Sequence, residues 1–423
     1  MSASDLPISE SSPRFFGWRV LFAAFIGMMF SPGPLIAVLL GSIAAQLSRE
    51  FNIDRGQVMF SLTIFGLATI VSVCIIGPLI DRLGARRVLI ASAGLVILNL
   101  LALAYASSTI TAFYCLVGLF GFVSTGAQSI TYNKLLAAWF DQKRGLTIGI
   151  STAGAGLGYS VLPLIMSWSL SVVSWRGSIV VLAICTLLPF LLAIGLAIAP
   201  SDKNHREEAG ELSGMPFAAV LRDPKLWVIA LAIFCISTSA LGLVPNLVGF
   251  SQDLGVPATR TAALPFIFGI STLGGRFAFG YFFDRLFAPR VAAFCFMLSA
   301  FGFGALALSA ANLSGSSGNA LAVATVGFGL AAEGDLIGYL ASRYFGLLAF
   351  GQVYGFLYIV FLLGVAVGPF AFGLGRDLFG NYALVFAAAG GLAALASMLM
   401  LTLSPYPRLM LQSARNLLAE EAV

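Results

Sequence analysis

Gly77 to Arg87 reads GPLIDRLGARR, and Gly280 to Arg290 reads GYFFDRLFAPR, 280 − 77 = 203 positions later. In both, an apolar run stops at an Asp-Arg pair, Asp81–Arg82 and Asp284–Arg285, with more basic charge just beyond it. A second landmark repeats at nearly the same distance. AAWFDQKRGLTIG carries Phe140 and SRYFGLLAFGQVYG carries Phe345, and 345 − 140 = 205. Two landmarks at nearly one offset indicate a duplicated unit whose copies run in the same direction. Same-direction repeats related by an axis along the membrane normal are a transporter architecture, with substrate held near the midplane between the copies.

The composition places those copies in a membrane. Of 423 residues, 59% are hydrophobic and 10% charged, with a mean hydropathy of +0.97. Soluble domains run near 25% charged. Apolar runs fall at 18–46, 57–80, 88–106, 111–136, 146–169, 177–199, 225–251, 261–283, 290–310, 319–342, 353–375 and 382–403. The in/out alternation of a membrane β-strand is absent, and helices are the other way to satisfy a backbone in lipid. The expected fold is an all-α membrane protein of twelve transmembrane helices in two six-helix bundles. The first bundle covers 1–199, a polar cytoplasmic linker 200–224, and the second bundle with a short cytoplasmic tail 225–423. The first apolar run is too long for a signal-peptide core and is read as a retained helix.

Charge sets the orientation. With both termini in the cytoplasm, 16 of the 23 basic residues fall in inner segments and 5 (Arg49, Arg55, Arg176, Arg260, Arg376) in outer ones. That split follows the positive-inside rule. It also explains the net charge of +5 without nucleic acid as a partner. The five tryptophans all sit at expected helix ends, as an interfacial belt requires. The five cysteines are scattered through apolar runs and the one histidine, His205, lies in the linker. No cofactor or metal is expected, nor an enzyme, since no convergent His, Cys or Ser constellation is visible.

On these residues a family resemblance rests. Gly77-Pro-Leu-Ile-Asp81-Arg82-Leu-Gly84-Ala-Arg86-Arg87 resembles the loop motif of the major facilitator superfamily, and the resemblance extends over the whole chain. Within it, WFDQKRGLTIGISTAGAGLG, Trp139 to Gly158, resembles the helix 4–5 signature of the monocarboxylate transporter family, and Gly17-Trp18 its first signature. Arg276 resembles that family's helix 8 arginine, which contacts substrate carboxylate. Oxalate/formate antiporters share the plan. Three positions differ: Thr272 stands where the family commonly has an aspartate, and the helix 1 lysine and the helix 11 lysine of the two families have no counterpart.

Four charges lie well inside helices: Lys134, Arg276, Glu333 and Asp335. A charge there costs at least about 2.5–3.5 kcal/mol on insertion scales, so each needs a reason. Arg276 can hold a carboxylate through its planar fork, or it can pair permanently with Glu333 or Asp335. Subtracting 203 from 276 gives Val73, so the duplicated scaffold itself does not demand an arginine. Glu333 and Asp335 are the candidate proton carriers. Being two residues apart they face opposite sides, about 200° around a helix. Lys134 either reaches the cavity as a second cation or snorkels to the inner interface. Gln128, Tyr132, Asn133, Asn246, Tyr339, Tyr354 and Tyr358 are candidate cavity-lining residues. Asp81, Arg82, Asp284 and Arg285 are expected to latch the outward-open state. Small residues Gly145, Gly149, Ala153 and Gly156/Gly158, and Gly364 with Gly368 in helix 11, mark faces of close helix approach.

The function expected from the sequence is a secondary active transporter. It moves an organic carboxylate, a monocarboxylate or an aromatic acid, with a proton by alternating access. The setting is the plasma membrane, or the inner membrane of a bacterium, and the working unit a monomer. The alternatives are an organic-anion antiporter of the oxalate/formate type and a multidrug or metabolite exporter.

Overall fold

The computed structural model describes residues 12, 15–140, 144–195, 214–257, 260–283, 286–311, 318–346 and 348–406. Within them, the side chains at 81, 137, 138, 144, 145, 277, 280, 281, 283 and 332–335 lie outside the description. In chain order the helices are α1 (Gly17–Met29), α2 (Pro32–Phe51), α3 (Arg55–Leu83), α4 (Ala85–Ala106), α5 (Ile110–Ser124), a 3-10 turn (Thr125–Ala127), α6 (Ser129–Trp139), α7 (Arg144–Val172), α8 (Trp175–Cys185) and α9 (Leu187–Gly195). They continue as α10 (Phe217–Val220), α11 (Pro224–Asp253), α12 (Ala263–Phe283), α13 (Ala288–Ala310), α14 (Asn319–Phe345), α15 (Phe350–Phe379) and α16 (Ala383–Leu401). Among the described residues 11 helical segments are long and apolar enough to span a membrane. The remaining expected span, at 261–283, coincides with α12, which is 21 residues long.

Three of the expected spans are broken. The first stops at Phe30–Ser31 and restarts at Pro32, because Pro32 and Pro34 cannot donate into a continuing ladder but fit a first helical turn. The fourth is interrupted by the 3-10 turn and by Gln128 in extended conformation, with φ −104° and ψ −179°. Here no proline is responsible. Gly126 lies against Val88 and the Ser92 hydroxyl of α4, where a side chain would not fit. The sixth breaks at Thr186, just before Pro189.

Close contacts divide the chain into two units. One comprises Met1–Lys203 with Val244–Leu273, the other Asn204–Leu243 with Gly274–Val423. The divisions fall inside α11 and α12. In the first unit, α3 packs on α5, α4 on α8, and α7 on both α1 and α2. Leu39, Leu40, Leu62, Phe113, Phe120 and Leu162 form its largest buried cluster. The α1–α7 contact is a backbone contact. A methyl group at Gly154 or Gly158 would fall on the carbonyl oxygen of Phe25 or Met29. The glycine face of α7 is therefore 154/158, whereas Gly149 has no atom within 4 Å of such a methyl.

The two signature stretches of this unit meet in space. Trp18 packs edge-on against Phe140 at 5.3 Å, and Phe15 against Trp139 at 6.0 Å. Gly17 is small because the Phe140 ring lies where its side chain would be. An aromatic knot thus ties the start of α1 to the end of α6.

In the second unit α13 packs against α14 and α16. The Ser397 hydroxyl donates to the Ala293 carbonyl at 2.7 Å, and Phe303, Phe372 and Phe386 form a ring cluster. Gly364 and Gly368 of α15 lie against Ser237 and the Thr238 carbonyl of α11, the close approach expected of helix 11. Of the expected linker, residues 200–213 lie outside the description. Its end is pinned: Met215 N–H donates to the Phe345 carbonyl at 2.9 Å, and the short helix α10 buries Val220.

Candidate functional site

Arg276 occupies the inner face of α12. On a wheel of about 100° per residue, the exposed residues Ala263, Phe266, Ile270 and Gly274 cluster on one side and Arg276 lies roughly 120–140° from their centre; Phe282, exposed near the end of the helix, lies roughly 120° from Arg276 on the other side. The buried residues Phe268, Thr272, Gly275 and Phe279 share its side. The Arg276 Nε is buried and meets no hydrogen-bond acceptor. No ion pair of Arg276 is found among the described residues. The Glu333 and Asp335 side chains, its expected partners, lie outside the description.

One turn earlier, Thr272 is 2% exposed and its hydroxyl donates to the Phe268 carbonyl at 2.9 Å. The position where relatives of the resembling family carry an aspartate is filled by a side chain whose hydroxyl is turned onto its own helix.

The neighbours of Arg276 can be placed along α14. A methyl at Gly275 would meet Ala331 Cβ and the Phe328 carbonyl, and Phe279 and Phe328 rings are 5.0 Å apart. Gly338, two turns further along, lies against the Tyr354 ring of α15. Positions 328, 331, 335 and 338 share a stripe within roughly 80° of arc, while 333 lies roughly 160–200° away from it. By helical spacing alone, position 335 falls on that stripe and position 333 outside it.

On α15, Tyr354 and Tyr358 stack at 6.0 Å and 10°, and Tyr358 and Phe361 at 5.6 Å and 20°. Tyr339 lies under the Arg343 guanidinium, which is 5.2 Å from the ring centre.

In the first unit, α6 begins right after the break at Gln128, which places Gln128, Tyr132, Asn133 and Lys134 within two turns. Tyr132 is 4% exposed, its ring over Gly27 of α1. The Asn133 Oδ1 is buried without a hydrogen-bond donor, and Lys134 is exposed. Asn246, on the part of α11 that belongs to this unit, is 2% exposed. Of the expected latch, Arg82 is exposed. The Asp81 side chain and residues Asp284 and Arg285 lie outside the description.

Two features had no sequence signal. Arg55 pairs with Asp253 at 3.4 Å and donates to Gln252 at 3.4 Å, tying the start of α3 to the end of α11. Beside it is a cavity of about 150 Å³ lined by Ser42, Gln46, Ser167, Ser171, Gln252 and Thr261. Partners 198 residues apart leave no mark in a single sequence. Among the described residues, no group of three or more His, Cys, Asp or Glu is placed to hold a metal.

Residues 20–369 match the family described as Major Facilitator Superfamily. A monocarboxylate transporter 13 of Rattus norvegicus is 26% identical over 396 residues, covering 92% of this chain and 89% of that protein. A gallate transporter of Pseudomonas putida is 27% identical over 433 residues, covering 90% and 92%. A probable L-galactonate transporter of Escherichia coli (strain K12) is 26% identical over 262 residues, covering 57% and 56%. These relatives are named as transporters, in keeping with the expectation of a transporter rather than an enzyme. The chain is a multi-pass membrane protein related to them.

Proposed function

The chain belongs to the Major Facilitator Superfamily, and on that premise we propose that it is a secondary active transporter that moves an organic carboxylate together with a proton. Arg276 binds the carboxylate, and Asp335 takes the proton. The observation that carries this reading is the buried Arg276 Nε without an acceptor, on the face of α12 away from the exposed apolar residues. A guanidinium nitrogen buried there without an acceptor is costly, and a substrate carboxylate held by the planar fork would offset that cost. The names of three relatives support the substrate class: monocarboxylate, gallate and galactonate are all carboxylates.

Asp335 is preferred over Glu333 because position 335 is on the α14 stripe that meets α12 and α15. A nearby cation holds a carboxyl ionised. When substrate neutralises Arg276, that hold is lost and the carboxyl takes up a proton. Binding and protonation are thereby coupled, as a symporter needs. The two six-helix halves, with cytoplasmic termini and 16 against 5 basic residues on the two faces, alternate access to this site in the plasma membrane, or in the inner membrane of a bacterium, as a monomer. Lys134, at the start of α6, is the second cation available to a substrate with more than one carboxylate.

The test is a thermal-stability screen of purified protein against lactate, pyruvate, benzoate and oxalate. A ligand of the folded state raises the melting temperature by mass action. Stabilisation by one of these acids, and not by its methyl ester or amide, is the expected result. Equal stabilisation by acid and ester would contradict carboxylate recognition.

A further inference from the structure

We propose that Tyr354, Tyr358 and Phe361 of α15 form an aromatic wall that makes the carried acid a planar aromatic one. The inference rests on the carboxylate reading of Arg276 given above.

The wall is continuous. Phe350, Tyr354, Tyr358 and Phe361 have successive ring centres 5.9, 6.0 and 5.6 Å apart. The last two pairs are near parallel, at 10° and 20°. Their positions fall within about 80° of arc on the helix wheel. Of the apolar residues that α15 exposes, Leu363, Val367 and Leu374 lie roughly 140–180° away from the centre of that arc; Leu378 and Phe379 are exposed at the far end of the helix, about 25 Å along the axis from Phe361. On either side the wall is flanked by closed packing: Val353 and Leu357 on one, Leu362 and Ala366 on the other. The four rings themselves are only half-buried. Rings that face away from the exposed apolar side, yet are not packed shut, border an internal space.

The wall also stands at the depth of Arg276. Gly275 meets α14 at Phe328 and Ala331, and Tyr354 meets α14 at Gly338. Gly338 lies about 10 Å along α14 from Ala331. α14 and α15 are joined by a short turn and run antiparallel. Counting up α15 from Tyr354, Tyr358 is about 6 Å and Phe361 about 10 Å along the axis. The level of Gly275 and Arg276 is therefore that of Phe361, with Tyr358 one turn away. A carboxylate on Arg276 would hold its organic remainder at the level of these two rings.

Stacked rings distinguish flat from puckered ligands. A benzene ring can extend the offset stack and gains the extra attraction of an aromatic pair, while a cyclohexane ring of similar volume cannot. The tyrosine hydroxyls add a polar handle for a hydroxyl-bearing ring.

The experiment compares benzoate with cyclohexanecarboxylate, which share a carboxylate and a carbon count, in binding to purified full-length protein. Wild type should bind benzoate about three- to tenfold more tightly. Tyr358→Leu should bring the ratio close to one, and Tyr358→Phe should keep it. Equal binding of the two acids by wild type, with both lost in Arg276→Gln, overturns the aromatic preference and leaves the carboxylate reading intact. A ratio unchanged in both Tyr358→Leu and Phe361→Leu overturns the role of the wall. Binding of neither acid, while lactate, pyruvate or oxalate binds, overturns the aromatic preference alone; binding of none of these acids overturns both readings.

Discussion

Arg276 and Asp335 stand on different helices, and what joins them in the account is the stripe of α14 that carries Phe328, Ala331 and Gly338. Asp335→Asn keeps the size of the side chain and removes its charge. In proteoliposomes with an acid exterior, the variant should no longer accumulate the acid, while exchange of external for internal substrate continues. Acid-driven accumulation at the wild-type level would remove Asp335 from the mechanism. The corresponding change at Glu333 should leave accumulation in place, because position 333 lies on the other side of α14.

Among the elements, the glycines make the sharpest contrast. At Gly154 an added methyl falls on the Phe25 carbonyl of α1, and at Gly149 it meets nothing within 4 Å. Gly154→Ala should therefore cost about 1–3 kcal/mol, as overpacking does. Gly149→Ala should be neutral or gain up to about 1 kcal/mol from chain entropy. Thermal melting of the two purified variants checks this; equal melting temperatures would contradict the α1–α7 packing. The glycine richness of α7 was legible in the sequence, but which glycines touch α1 was not, since that depends on helix rotation. The order and number of long helices was legible too, because an apolar run of span length has few other readings. The break at Pro32 and Pro34 had a signal that an unbroken apolar run concealed. The break before Gln128 had none, because it is set by Gly126 against Val88 and Ser92 of another helix. Arg276 stood out as a lone charge in an apolar run, whereas the Arg55–Asp253 pair joins residues that look like ordinary helix-end charges.

For the whole molecule, the uneven distribution of basic residues predicts sidedness. Arg87→Cys, at the exposed start of α4, should react with an impermeant thiol reagent only after the membrane is opened. Arg49→Cys, at the end of α2, should react in intact cells; the reverse pattern would invert the orientation. The proposed transport cycle turns on one interaction, the substrate carboxylate on Arg276. Its most direct test is uptake of a radiolabelled acid, identified by the stability screen, into proteoliposomes containing wild type, Arg276→Lys or Arg276→Gln at matched protein content. Arg276→Gln should insert and melt normally but neither transport the acid nor be stabilised by it, with Arg276→Lys retaining a small fraction through charge without the bidentate fork. Uptake by Arg276→Gln at the wild-type rate would contradict carboxylate binding at Arg276.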